Sequence, residues 1–190
     1  MLFTAVAVLL GLAIGLLGGG RLRFLGERTF HGVPLLVVGV ALQLVSAVVA
    51  DVAVALVLLS YAALVAFCAL NLRLVGMGVV LVGLLMNTVV ITANGGMPVR
   101  RSAVVAAKIA DYDDLPDIRL TGKRHFEDDD DRLMFLADIV PVPELREVLS
   151  IGDIVMSVGV AAVLAHLLRP PGRRLHASGQ AGVNADSRVR

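Results

Sequence analysis

Apolar residues in this chain come in long blocks rather than in the short periodic runs of a water-soluble fold. Met1 to Gly19 carries no charge; Pro34 to Ala50 and Val52 to Leu70 are divided only by Asp51. Leu74 to Ala93 is a fourth block, and Ile151 to Leu168 a fifth with Asp153 near its start. Hydrocarbon about 30 Å thick is crossed by roughly 20 helical residues. In lipid the backbone polar groups must be satisfied within the segment, so such blocks are expected to be helices. The alternating pattern of a membrane β-barrel is absent. The pattern therefore predicts an all-α, polytopic transmembrane bundle of about five spans: 1–19, 34–50, 52–70, 74–93 and 151–168. The 37 residues from Pro34 to Leu70 are too many for one crossing, which puts Asp51 in water at a tight turn rather than in lipid. Four spans is the alternative count. A segment over 94–150 separates the last two spans. The tail 169–190, polar and containing Pro170-Pro171-Gly172, is expected to be disordered.

Composition strengthens the membrane reading. Hydrophobic residues make up 57% of the 190 and mean hydropathy is +0.85, above the 45–50% apolar content usual for soluble domains. Fifteen Arg against two Lys, in an Ala-, Val-, Leu- and Gly-rich background, suggest a bacterium with a GC-rich genome. The single cysteine, Cys68, says nothing about compartment. Net charge is only +1, but it is segregated. Loop 20–33 sums to +2, loop 71–73 carries Arg73, and the tail sums to +4, whereas 94–150 holds 8 basic and 12 acidic residues. Basic loops mark the cytoplasmic side, so the N-terminus and 94–150 are expected outside a bacterial cytoplasmic membrane and the C-terminus inside. Arg21, Arg23 and Arg28 follow the first block and nothing basic precedes it, which favours a retained helix over a cleaved secretory signal.

Polar residues within the spans are the next signal. Gly11, Gly15 and Gly19 recur every fourth position, the spacing that lets two helices approach closely. Gln43, Ser46, Ser60 and Tyr61 are candidates for hydrogen bonds between helices. Asn87 lies inside the fourth span with Asn94 two turns along the same face. An amide there should face protein or a water-filled cavity, as structural glue or as a binding group.

In the outer segment, Asn94-Gly95-Gly96-Met97-Pro98 ends the fourth span abruptly. Ser102 to Ala110 reads as a short amphipathic helix lying on the membrane, and 111–130 as polar and irregular. The run Asp128 to Asp131 is rich in carboxylates, yet it lacks a calcium-loop spacing, so a solvated loop is expected and no metal or other cofactor. Arg132 opens an apolar stretch that holds Asp138 and ends in Pro141-Val142-Pro143. A carboxylate among apolar neighbours needs a partner or a proton, and Arg132 is the candidate partner. Glu144 and Glu147 read as a solvated turn. Ser150 and Asp153 have the spacing of a capping box at the start of the fifth helix. The other reading is a site where Asp131, Asp138 and Asp153 converge.

These stretches, in order, resemble an uncharacterised bacterial membrane family, domain of unknown function 5317. The resemblance rests on Gly19-Gly20-Arg21-Leu22-Arg23, Leu70-Asn71-Leu72-Arg73, the helix carrying Asn87, Asn94 to Pro98, Phe135 to Pro141, and Ser150-Ile151-Gly152-Asp153. It implies a multi-pass membrane protein and brings no activity with it. The region 131–153 is also similar to lipoprotein signal peptidase, a membrane aspartyl protease, through Asp131-Arg132, Ala137-Asp138-Ile139 and Gly152-Asp153. That likeness implies Asp131 and Asp153 as a catalytic dyad, one protonated and one ionised. Glu127, Asp128, Ser150 and Gly152 depart from the peptidase motifs. The function expected is a non-catalytic partner or scaffold in the cell envelope, with Asn87, Asn94 and Arg132 as binding residues. Its partners are expected to be the bilayer, a membrane protein or further copies of itself, and no nucleic acid. The alternative is an Asp-dependent hydrolase at the outer membrane face.

Overall fold

The computed structural model describes residues 2–27, 29–46, 49, 53–118, 120 and 122–170. Five long helices occupy the apolar blocks: α1 (Leu2–Leu17), α2 (Val33–Ser46), α3 (Ala53–Leu70), α4 (Met77–Asn94) and, after a short α5 (Arg101–Ala106), α6 (Ile151–Leu167). Each begins or ends within a few residues of its apolar block. The turn at Asp51 and the tail from 171 lie outside the described residues. α3 and α4 are each long and apolar enough to cross a membrane, while the apolar helices 5–17, 33–46 and 151–167 are shorter. Eighteen helical residues span about 27 Å. Outward faces of all five are apolar: Leu9, Leu17, Val37, Leu44, Leu59, Val82, Val89 and Val158 are exposed.

Close contacts between the helices are made at glycines. A Cβ on Gly83 would stand 2.6 Å from both Gly152 O and Met156 N, and one on Gly159 would stand 2.5 Å from Val80 N, so α4 and α6 meet backbone to backbone. Gly11 and Gly15 lie against Ala161 and Ala165, in the α1–α6 contact inside the molecule, whereas Gly19, the third of the predicted stripe, lies beyond the helix at φ 83° and packs on nothing. Gly39 packs on Leu64, and Ser60 Oγ donates to Gly39 O at 2.7 Å, joining α2 to α3 as expected of Ser60. Ser46 instead donates to Gln43 O in its own helix. The packing order is thus α2–α3–α4–α6–α1, with α1 and α2 at the two open ends. At the end of the bundle bearing Arg21, Arg73 and Arg169, Asn71 binds both N and O of His31 and the carbonyl of Phe67, fixing the loop before α2.

The other end is covered by the segment between α4 and α6, and here an all-α expectation needs correction. Four short strands form two ladders: β1 (Met97–Val99) runs parallel to β2 (Arg124–Phe126), and β3 (Val140–Val142) pairs antiparallel with β4 (Glu147–Leu149). Three residues are too few to show alternation in sequence. The helix expected over 102–110 is six residues long, α5, and Ala103, Val104 and Ala107 pack with Val99, Leu115 and Val148 in a second small core. Leu115 reaches that core from a 3-10 turn (Tyr112–Asp117) within the stretch expected to be irregular. Glu127 holds the start of α5 by accepting from the Arg101 N–H at 3.1 Å. Glu147 is likewise no solvated turn: it lies in β4 and accepts from the Phe3 N–H at 3.2 Å, tying the cap to α1.

Gly83→Ala is expected to lower the melting temperature in detergent, through a loss of about 1–3 kcal/mol from overpacking α4 on α6. Gly78→Ala, whose Cβ would meet nothing closer than 3.9 Å, should be neutral or slightly stabilising.

Candidate functional site

α4 stops because Gly95 takes a left-handed φ of 63° and its N–H turns back to Ile91 O. β1 follows at once, and its Met97 N–H donates to Lys123 O at 2.7 Å, which places Lys123 and Arg124 over the bundle. Asp138 lies on the opposite edge of β1: its N–H donates to Pro98 O and its carbonyl accepts from Arg100 N, both at 3.0 Å. α6 begins beneath, where Ser150 and Asp153 form the capping box the spacing predicts.

Beneath the cap a closed ring of hydrogen bonds links α4 to α6. Asn87, fully buried, donates from Nδ2 to Asp153 Oδ1 at 2.8 Å and accepts at Oδ1 from Ser150 Oγ at 2.9 Å. Asp153 N–H donates to Ser150 Oγ at 2.9 Å, and Ser150 N–H to Asp153 Oδ2 at 3.2 Å. Gly152 makes room for it, since a Cβ there would overlap the Asn87 amide. Asn87 was legible as a buried polar group; its partner was not, because 66 residues separate it from Asp153.

Asp138 is the anomalous side chain. It is 1% exposed. Arg124 Nε stands 2.8 Å from its Oδ2, but out of line for a hydrogen bond, so neither carboxylate oxygen receives one. Burial pushes its carboxyl up to about 6; Arg124 opposes the rise and the charge of Asp153 adds to it. The partner is therefore Arg124 rather than Arg132. Arg124 was missed because it lies in a short strand without sequence signature. Arg132 is held by its backbone, in a two-bond clamp with the Asn94 amide at 2.7 and 2.9 Å. Asn94 thus serves the cap, not the face of Asn87.

Asp131 does not join the other two carboxylates. Its Oδ1 is 3.1 Å from His125 Nε2 and its Oδ2 accepts from Asp128 N–H at 2.8 Å, closing the acidic turn on itself. Among the described residues no cluster of His, Cys, Asp or Glu is arranged to hold a metal ion.

Asp138 and Asp153 do share a space. A cleft of about 810 Å³ opens between α1 and α2, the two helices at the ends of the packing order. Phe3, Val8 and Leu9 form one wall, Val40, Gln43 and Leu44 the other, with Leu64, Leu84 and Met156 behind. Its cap end is polar: Lys123, Arg124, Asp138 and Asp153 reach it, and Lys123 Nζ donates to Tyr61 OH at 2.7 Å while lying 4.9 Å from the ring centre. Such a space, apolar along its length and charged at one end, is a binding site for a ligand with the same division.

This architecture defines a mostly helical bundle with a small mixed cap. The chain belongs to a family of unknown function (DUF5317), whose model matches residues 27–165, from before α2 almost to the end of α6. The Gly19–Arg23 motif precedes the matched region. No curated protein and no solved structure matches, and the likeness to lipoprotein signal peptidase is not shown by any of the comparisons.

Ionising Asp138 is disfavoured in the folded protein, so the folded state binds its proton more tightly than the unfolded chain. Stability should be greatest below about pH 4 with respect to this group, fall as pH rises through about 6, and stay low above. The loss is on the order of 3 kcal/mol. Asp138→Asn should flatten that part of a pH–melting curve. Asn87→Ala should cost about 1–3 kcal/mol by orphaning Ser150 and Asp153, read as a lower melting temperature.

Proposed function

We propose that this chain is a multi-pass protein of a bacterial cytoplasmic membrane and acts there as a non-catalytic partner or scaffold, its cap and cleft serving as the binding surface. In this reading all five long helices cross, with the cap and N-terminus outside. Three observations support the membrane placement. Two helices have the length and apolarity to cross, the outward faces of all five are apolar, and the arginines at 21, 73 and 169 share the end away from the cap.

The observation that carries the non-catalytic reading is the closed ring at Asn87. Both oxygens of Asp153 and the hydroxyl of Ser150 are committed to Asn87 and to the helix start. A hydroxyl nucleophile is activated by donating to a base, whereas Ser150 Oγ donates to the Asn87 amide oxygen. The cap also exposes Tyr112 and Phe135, aromatic side chains of the kind that anchor protein interfaces.

One observation favours a second reading, an Asp-dependent hydrolase: Asp138 and Asp153 line one cleft and their charges interact. Asp131, the other member of the dyad implied by the peptidase likeness, is turned to His125 instead.

With Cys68→Ser as background, Asp130→Cys and Gln180→Cys should be labelled by an impermeant thiol reagent from opposite sides of the membrane; labelling from one side overturns the five-span arrangement. A photo-crosslinking residue at Tyr112 or Phe135 should give a discrete adduct in cells with a protein of the envelope. Absence of any adduct, together with hydrolysis of a membrane substrate that Asp138→Asn and Asp153→Asn both abolish, favours the hydrolase.

A further inference from the structure

We infer that the cleft between α1 and α2 binds a phospholipid bearing a primary amine, with an acyl chain between the two helices and the headgroup under the cap. The inference rests on the membrane placement proposed above and adds a ligand to it.

The first observation is shape. α1 and α2 end the packing order of the helices, so the cleft opens between two outer helices. In a bilayer that opening faces acyl chains, and its walls of Val8, Leu9, Val40 and Leu44 match them. A volume of about 810 Å³ falls in the range of ordinary ligand sites.

The second observation is a buried acceptor without a donor. Asp138 lines the cleft at its polar end, 1% exposed; Arg124 Nε pairs with its Oδ2 at 2.8 Å out of line, and neither oxygen has a hydrogen-bond partner. Leaving a buried carboxylate so placed costs several times what a satisfied one does. An ammonium with three N–H donors supplies what is missing.

The third is charge pattern. The same end presents Arg124 and Lys123, with the Arg124 side chain 42% exposed. Cations beside an unmet carboxylate suit a zwitterion of phosphate and primary ammonium. A purely anionic headgroup leaves Asp138 unmet, and a quaternary ammonium has no N–H to give it.

The test uses the full-length protein in nanodiscs or mild detergent, with native mass spectrometry counting bound lipid. Phosphatidylethanolamine, phosphatidylcholine and phosphatidylglycerol of identical chains are the probes. Phosphatidylethanolamine should be retained preferentially, one per chain, and Asp138→Asn should reduce that preference about tenfold or more, the usual loss for a hydrogen bond to a charged group. Val8→Trp, which fills the apolar wall, should reduce retention of all three alike. Equal binding of phosphatidylcholine, an unchanged preference in Asp138→Asn, or a second copy of the chain cross-linked through α1 into the cleft would each overturn the inference while leaving the membrane placement standing. Failure of the membrane placement itself has a separate signature: a monodisperse protein in detergent-free buffer.

Discussion

The ring joining Asn87, Ser150 and Asp153 can close only because α4 and α6 touch backbone to backbone. Gly83 and Gly159 let the two helices approach that far, and Gly152 leaves space for the amide. Everything at the cap end depends on this contact. It fixes where α6 starts, hence where β4 enters, and it brings the end of α4, with Asn94 and Gly95, over the start of α6. A fully buried amide is costly unless saturated, so the ring also selects one register for the two helices. A slip of one residue would leave the polar atoms unmatched.

The cap builds on that foundation with very short elements. Strands of three residues hold no structure alone; they persist because β1 is tied to α4 through two residues and because Val99, Val104, Leu115 and Val148 form a core of their own. The cap is therefore a folded unit whose position is dictated by the helices it joins, and the salt bridge of Arg124 with Asp138 lies where it meets the bundle.

Two carboxylates that are close in space have opposite surroundings. Asp153 is half-buried and fully hydrogen-bonded. Asp138 is buried at the cleft wall, ion-paired to Arg124 but without a hydrogen bond to either oxygen. The first is what a helix start requires. The second makes its strand contacts through the backbone, and its side chain adds an ion pair with Arg124 but no in-line hydrogen bond.

Sequence alone determined the helices and one cap. Long apolar blocks bounded by polar residues specify where α1 to α4 and α6 lie, because apolarity and an internally paired helical backbone are properties of a segment by itself. Ser150 and Asp153 were legible for the same reason, since a capping box spans three residues. What tertiary structure decided was every long-range pairing: Asn87 with Asp153, Arg124 with Asp138, Asp131 with His125, and the Gly11–Gly15 stripe with α6 rather than with another copy. Charge, amide and glycine have many possible partners along a chain. Only the packing order of the helices, which leaves α1 and α2 apart, chose among them and opened the cleft.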